Sequence, residues 1–353
     1  MIDEAIVKEY VLHNLSAELL EFRRLGKGVH GEGFLLKVRD REGIKEYVLK
    51  DLVPHDLGHD YPSDRAQVFL LAYSYYNELP NHVKAIDVLQ LKKDRRLQSI
   101  RDGVEYFLLM EKAEGVNYFT DLEGFREKTS LTGDDREKIK AMARYLARIH
   151  ALRPEIAEHL KRSLYLRKIR DTIGHGECLM GVFDTYPEGT LSFKEMEEIE
   201  SLAVRWRYRL RDRYERLCQI HGDFHPGNIW FRDKDFILLD RSRGPWGEAA
   251  DDVTALTINY VFFSIRYHGE LREPYTEALK LFYNEYIAQT GDEELRKVVQ
   301  PFYAFRAAVV GNPIFYPDVN QEKRRLIFNF MKNVLRYDIF EPERTQEFLS
   351  LKE

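Results

Sequence analysis

Cysteine is nearly absent: Cys178 and Cys218 are the only two in 353 residues. Two cannot build a disulfide scaffold or a multi-cysteine zinc site, and so sparse a usage suits a reducing compartment. Long apolar runs are missing as well. No stretch approaches the ~20 residues that a membrane-spanning helix needs; ALTINYVFFSI is short and contains Asn259. The opening MIDEAIVKEY has no basic segment followed by an apolar core, which a secretory signal requires. There is no excess of positive charge either. Lys and Arg number 54 against 59 Asp and Glu, a net charge of -5, which argues against a generally basic nucleic-acid-binding surface. These absences predict a cytoplasmic protein with neither nucleic acid nor membrane as partner. Core-forming material is plentiful: 44% of residues are hydrophobic and 13% aromatic, so a wholly disordered chain is excluded. The length suits about two domains of ~150 residues, or one two-lobed unit.

The first third has the texture of strands. Glu21 to Leu25 leads into the glycine-rich GKGVHGEG, and FLLKVRD and IKEYVLKDL flank a turn at Asp40 to Gly43. Ser63 or Asp64 is placed to cap a helix through AQVFLLAYSYYNEL, which ends before Pro80. Two further strands are expected in AIDVLQLKK and VEYFLLMEK. After Gly115 the pattern becomes helical. Ile139, Met142, Leu146 and Ile149 form one stripe of a helix that Asp134 or Asp135 would cap. Between His221 and Asp240 the texture returns to loop and strand, and from Asp251 onward it reads as helices broken at Pro274, Gly291, Gly311, Pro313 and Pro317. The expected architecture is therefore α+β and bilobal. Residues 1–112 would form a small antiparallel-sheet lobe and residues 113–353 a large helical lobe with a loop-strand insert; ligands commonly sit in a cleft between such lobes.

The sharpest feature is HGDFHPGNIWF followed by FILLD, which sets Asp223, Asn228 and Asp240 around a tight hairpin. Asp and Asn oxygens are hard ligands suited to Mg²⁺, an ion usually held by few protein groups plus substrate phosphates. A carboxylate a few residues before the Asn can orient a hydroxyl and accept its proton. That combination serves phosphoryl transfer, in which positioning and electrostatics carry most of the catalysis. An ordinary polar turn shaped by Pro226 and Gly227 is the competing explanation.

HGDFHPGNIW resembles the catalytic loop of the aminoglycoside phosphotransferase family, whose fold is similar to that of protein kinases. FILLD resembles the family's metal-binding strand end, and GEAADDV, with Asp252 opening a helix, the stretch that follows it. LLMEKAEG resembles the hinge, and MARYLARIHAL the long helix that ends in a His. The resemblance spans roughly Gly26 to Asp252 and implies Asp223 as the catalytic aspartate, with Asn228 and Asp240 as Mg²⁺ ligands. It implies a structural role for His221 and a packing role for His225.

Gly26, Gly28 and Gly31 form a G-x-G-x-x-G motif. A dinucleotide fold would need a helix after it, whereas FLLKVRD reads as a strand. A strand, glycine loop and strand make a kinase-like lid whose backbone N–H groups can approach phosphates. The resemblance implies that Lys50 reaches the α- and β-phosphates. Kinases pair this lysine with a helix glutamate, yet Ala66 to Asn77 contains no acid, so its partner is an open question. At the hinge, the carbonyl of Glu111 and the N–H of Ala113 would meet adenine. His55, Asp56, His59 and Asp60 are read as a solvated loop, and Cys178 beside His175 as a packed loop rather than a nucleophilic pair.

The expected activity is an ATP- and Mg²⁺-dependent transfer of the γ-phosphate to a hydroxyl of a small molecule. A protein kinase and a nucleotide-binding pseudoenzyme acting as an interaction module are the alternatives. Asp240 is followed by Arg241 and Arg243, and arginine grips carboxylate or phosphate in bidentate fashion. These two are the candidate acceptor residues, and they point to a neutral or anionic acceptor rather than a polycationic aminoglycoside. Pairing with Glu248, Asp251 or Asp252 is the competing role for both.

Overall fold

The computed structural model describes residues 2–28, 31–53, 62–100 and 105–350. It opens with a helix the sequence reading did not anticipate, α1 (Glu4–Asn14), capped by the Asp3 carboxylate, which accepts the Ile6 N–H at 3.1 Å. The apolar spacing of Ile6, Val7, Tyr10 and Val11 had been there to read, and all four are buried. β1 (Glu18–Lys27), β2 (Glu32–Asp40) and β3 (Gly43–Lys50) form the expected antiparallel hairpins. The turn after β2 closes where Asp40 Oδ1 accepts the N–H groups of Glu42 and Gly43, with Gly43 at φ 134°. Helix α2 (Pro62–Tyr76) and strands β4 (Ala85–Leu91), β5 (Leu97–Ser99) and β6 (Glu105–Glu111) complete a six-stranded sheet in the order β1-β2-β3-β6-β4-β5.

Alternation along these strands feeds two cores. Leu36, Leu49, Leu89 and Leu109 face α1, whereas Val48, Val88, Leu108 and Met110 face Phe69, Ala72 and Tyr76 of α2. Adjacent residues, such as Val48 and Leu49, go to opposite sides because the side-chain period in a strand is two.

The second compact unit begins at Gly115. Its elements are β7 (Val116–Asn117), α3 (Tyr118–Gly124), α4 (Gly133–His150), α5 (Glu158–Gly174), α6 (Leu179–Asp184) and α7 (Phe193–Leu210). Then come β8 (Cys218–Gln219), β9 (Ile229–Arg232), β10 (Asp235–Leu238), whose last two residues belong to the first unit, and β11 (Trp246–Gly247). The chain ends in α8 (Ala249–His268), α9 (Tyr275–Thr290), α10 (Gln300–Gly311) and α11 (Gln321–Arg336). The stripe Ile139, Met142, Leu146 and Ile149 is buried as expected. The cap of α4 is Thr132, however, and Asp135 is the returning member of a capping box, accepting the Thr132 N–H at 2.8 Å. The run ALTINYVFFSI lies in α8, which is buried from Ala249 through Ile265. A helix buried all round belongs to the core, and among the described residues no helix is long and apolar enough to cross a membrane.

The division differs from the expected one in two respects. The first unit runs to Glu114 rather than to residue 112, and it also contains Ile237–Arg243. Leu238 donates its N–H to the Asn81 carbonyl at 3.0 Å, and Ile237 and Leu239 pack on the α2-side core. The packing of that strand thus assigns Asp240, Arg241 and Arg243 to the sheet unit.

Gly31 has a reason of its own to be glycine. A Cβ there would stand 2.0 Å from the Asp51 carbonyl oxygen, whereas one on Gly26 would meet nothing within 4 Å. Gly31→Ala is expected to destabilise the protein by about 1–3 kcal/mol, the usual range for overpacking. Gly26→Ala should stay within about 0.5 kcal/mol, as substitutions away from such contacts do. Urea unfolding of both variants measures the difference, and equal midpoints would contradict the close approach.

Candidate active site

In the second unit the segment His221–Asn228 is held from beneath by one carboxylate. Asp252, buried near the start of α8, accepts the backbone N–H groups of His221 and Gly222, both at 2.7 Å. Its Oδ2 also lies 3.1 Å from Nε2 of His150, the last residue of α4, and Nδ1 of that ring is 2.8 Å from the Tyr286 hydroxyl. Burial alone would raise the Asp252 pKa. The His150 hydrogen bond and charge, the His221 charge and the His221 N–H outweigh it and hold the carboxyl below the ordinary range. Gly222 sits at φ 90° between these contacts, a conformation costly for any residue with a Cβ.

Local bonds shape the rest of the loop. The Asp223 N–H meets Nδ1 of the buried His221 at 3.2 Å, and the Gly227 N–H meets Nδ1 of His225 at 3.1 Å. Pro226 opens a single 3₁₀ turn, Pro226–Asn228. The Asn228 amide then donates to the Asp223 carbonyl at 3.0 Å, tying the two residues together across the turn. The His225 ring rests 5.9 Å from that of Phe119 in α3. His221 and His225 thus do structural work in the loop, in keeping with the roles the resemblance implied.

The Asp223 side chain is engaged by a residue that sequence reasoning missed. Nη1 of Arg306, in α10, donates to Asp223 Oδ1 at 2.6 Å. Nη2 of the same guanidinium lies 3.3 Å from the Gly222 carbonyl and 2.9 Å from Asp251 Oδ1. Asp251 is paired in turn with Lys168 of α5. All of these except Asp223 are deeply buried, so α5, α8, α10 and the loop share one chain of alternating charges. The signal available in the sequence was a solitary arginine in the otherwise uncharged QPFYAFRAAVVG. The partner it would find, 83 residues away, could not be read there.

In the first unit, Lys50 Nζ lies 2.9 Å from Asp240 Oδ2. Asp240, in the segment that follows β10, is thus a partner of Lys50. Asp240 is itself in the left-handed region, at φ 62°, where Asp and Asn are enriched among non-glycine residues. The buried Tyr76 hydroxyl of α2 accepts the backbone N–H groups of Arg241 and Asp240. Burial first, then the nearby Asp240 charge, pushes that phenol's pKa well above its ordinary value.

Arg241 has a different role from the expected acceptor contact. Its side chain is 1% exposed and donates from Nη1 to the Tyr75 carbonyl at 2.7 Å, near the end of α2. A carboxylate oxygen of Glu78 lies 4.0 Å from the same nitrogen. Glu248, Asp251 and Asp252, proposed as alternative partners, are engaged by Arg216, by Lys168 and Arg306, and by His150. Arg241 therefore braces the sheet unit, because the segment that carries it packs inside that unit. Arg243 is half-buried in the same returning segment.

The glycine loop joins β1 to β2. Gly28 donates to the Gly31 carbonyl at 2.8 Å, and Glu32 and Asp51 are cross-bonded, Glu32 N–H to Asp51 Oδ1 at 2.7 Å and Asp51 N–H to the Glu32 carbonyl at 3.0 Å. Its end is thereby tied to the residue after Lys50. At the hinge, Glu111 ends β6 with its N–H on the Lys84 carbonyl at 3.0 Å, and Ala113 packs on the α2-side core. His55, Asp56, His59 and Asp60 lie outside the described residues. His175 and Cys178 close one turn, with the Cys178 N–H on the His175 carbonyl at 2.9 Å, and the buried Cys178 precedes α6.

Residues 21–289 match the model of the phosphotransferase enzyme family, APH. Among solved structures the chain is similar to an amicoumacin kinase in complex with AMP-PNP and Ca²⁺, at 14% identity and a TM-score of 0.53, with 97% of each chain covered. It is also similar to a choline kinase from Cryptosporidium parvum, at 12% identity and a TM-score of 0.52, with 98% of each covered. A thermostable mutant of an aminoglycoside phosphotransferase aligns at 14% identity and a TM-score of 0.51, over 93% of this chain and 98% of its own. A search of curated proteins finds no match. These structures share the protein-kinase-like fold with this chain. The chain belongs to the phosphotransferase enzyme family, and so is a small-molecule phosphotransferase with a hydroxyl group as acceptor.

Asp252→Asn should cost about 3–5 kcal/mol at neutral pH, the range for breaking a buried charged pair. A folded-state pKa below the unfolded one means that the carboxylate's contribution is complete above about pH 4 and is lost as pH falls through the lower folded value. The stability gap between wild type and variant should therefore narrow on acidification. Denaturant titrations from pH 7 to pH 3 measure it, and a gap independent of pH would contradict the assignment.

Proposed function

We propose that the protein transfers the γ-phosphate of ATP to a hydroxyl of a small molecule, with Mg²⁺ as the metal. The observation that carries this reading is the His221–Asn228 loop, in which the Asn228 amide is bound to the Asp223 carbonyl while Asp252 holds the backbone. Asp223 orients the acceptor hydroxyl and takes its proton. Lys50 steadies the α- and β-phosphates, and the glycine loop with Gly26, Gly28 and Gly31 covers them. The backbone of Glu111 and Ala113 receives adenine.

The residues suit a hard cation. With the Asn228 NH₂ turned to a carbonyl, Oδ1 is the atom that serves as a ligand, and the Asp240 carboxylate already attracts a cation, Lys50 Nζ. Among the described residues no group of three or more His, Cys, Asp or Glu is placed to hold a metal, so such an ion would draw its remaining ligands from phosphate oxygens and water. Asn228 and Asp240 would hold Mg²⁺, which when bound neutralises charge on the phosphates.

The acceptor is neutral or anionic, such as a sugar, a sugar phosphate or a hydroxy acid. Support comes from the acidic residues that a polycation would need. Glu277 is paired with Arg136 and accepts the Leu131 N–H at 3.1 Å, Glu273 accepts the Glu277 N–H at 2.7 Å, and Glu270 is near Arg272. Arg241, 1% exposed, is buried away from any acceptor. Arg243 stays a candidate acceptor contact on the strength of its position in the chain alone. Screening a metabolite library for ATP-dependent phosphorylation, with products identified by mass spectrometry, tests the class. Efficient phosphorylation of kanamycin-like aminoglycosides would refute it.

Asp223→Asn should lower turnover on the identified acceptor roughly 10²–10⁴-fold, the usual share of a general base, with nucleotide affinity retained. A near-native rate would remove Asp223 from the role. Asp240→Ala should weaken nucleotide binding in the presence of Mg²⁺ much more than in its absence. Titrations with and without the metal separate these, and equal losses would assign Asp240 a structural part.

A further inference from the structure

We propose that Arg306 is a positioning residue of the phosphotransfer, holding the Asp223 carboxylate in the orientation in which it meets the acceptor hydroxyl; this rests on the assignment of Asp223 above. Arg306 is 5% exposed, so its guanidinium serves groups of the protein rather than solvent. One nitrogen is 2.6 Å from Asp223 Oδ1, and the other is shared between the Gly222 carbonyl and Asp251 Oδ1. The same planar group thus holds the side chain of Asp223 and the backbone just before it. A free carboxylate turns about two side-chain torsions; one pinned through Oδ1 presents its other oxygen in a single direction.

Charge makes the contact specific to Asp223. Lys168 and Arg306 bring two positive charges into a buried cluster where Asp251 supplies one negative charge. The remaining positive charge is directed at Asp223, whose side chain is 14% exposed and forms the outer end of the cluster. A lysine at 306 would carry the charge but not the fork that reaches Asp223, Gly222 and Asp251 together. The Arg306 guanidinium also lies 4.6 Å from the Phe305 ring centroid, a further restraint on its place.

The test uses the full chain with MgATP and water as the acceptor, reading ATP hydrolysis, and with MgATP titration as the binding measurement. Arg306→Met should lower kcat by about 10–100-fold, the scale expected when a reacting group is misplaced by about 1 Å. The KM for MgATP should stay within about twofold, since no nucleotide contact is assigned to it. Arg306→Lys should recover part of the lost kcat. In the Asp223→Asn background, Arg306→Met should cost nothing further, because two residues acting as a unit are non-additive. Unchanged kcat in Arg306→Met, or parallel losses of kcat and MgATP binding, overturns the proposal. So does a full additional loss in the double variant, which would mark Arg306 as a purely structural residue. Wild-type hydrolysis by Asp223→Asn would instead defeat the assignment of Asp223 itself. A collapse in Asp223→Asn with none in Arg306→Met would leave that assignment standing and defeat the Arg306 proposal alone.

Discussion

The His221–Asn228 loop depends on the grip of one buried carboxylate on two adjacent backbone N–H groups. Loop amides that leave water without a partner cost free energy comparable to a lost hydrogen bond. Asp252 meets those of His221 and Gly222 at once, and His150 offsets the cost of burying its charge. The direction of the chain into Asp223 is set at that point. Everything built on the loop, from the Pro226–Asn228 turn to the Asn228 amide on the Asp223 carbonyl, inherits that geometry.

The loop's supports come from helices far apart in the sequence. α4 contributes His150, α8 contributes Asp251 and Asp252, α9 contributes Tyr286 and α10 contributes Arg306. α8 can present two carboxylates inward because it is buried along most of its length, and each of those carboxylates has a cationic or hydrogen-bonding partner. A carboxylate buried without one would be neutralised or expelled. The helical unit is thus the frame that fixes the backbone of this loop.

In the sheet unit the corresponding role falls to a short strand that returns from the other unit. Residues 237–243 pack against α2 through Ile237 and Leu239. Tyr76 accepts their backbone N–H groups from within the core, and Asp240 pairs with Lys50. Asp240 is held in the left-handed region by these contacts on both sides. Arg241, which local reasoning had placed toward the acceptor, points into the same packing and braces α2.

Local chemistry was enough to read the hairpins around Asp40 and Gly43, the buried stripe of α4 and the turn-rich character of His221–Asn228. Each rests on a period, a turn residue or a motif contained within a few positions. Some nearby details were misjudged even so: the cap of α4 went to Asp134 or Asp135 instead of Thr132, since a capping box places an acid three residues inside its true start. The close approach of Gly31 to the Asp51 carbonyl, just beyond β3, could not be read from the glycine motif itself. The partner of Lys50, the burial of Arg241 and the Asp223–Arg306–Asp251–Lys168 chain were decided by tertiary structure. Sequence by itself sets which side chains are charged and how they repeat. Which opposite charge each one meets, in a medium where an unpaired charge is prohibitive, depends on helices and strands from distant parts of the chain arriving at the same place.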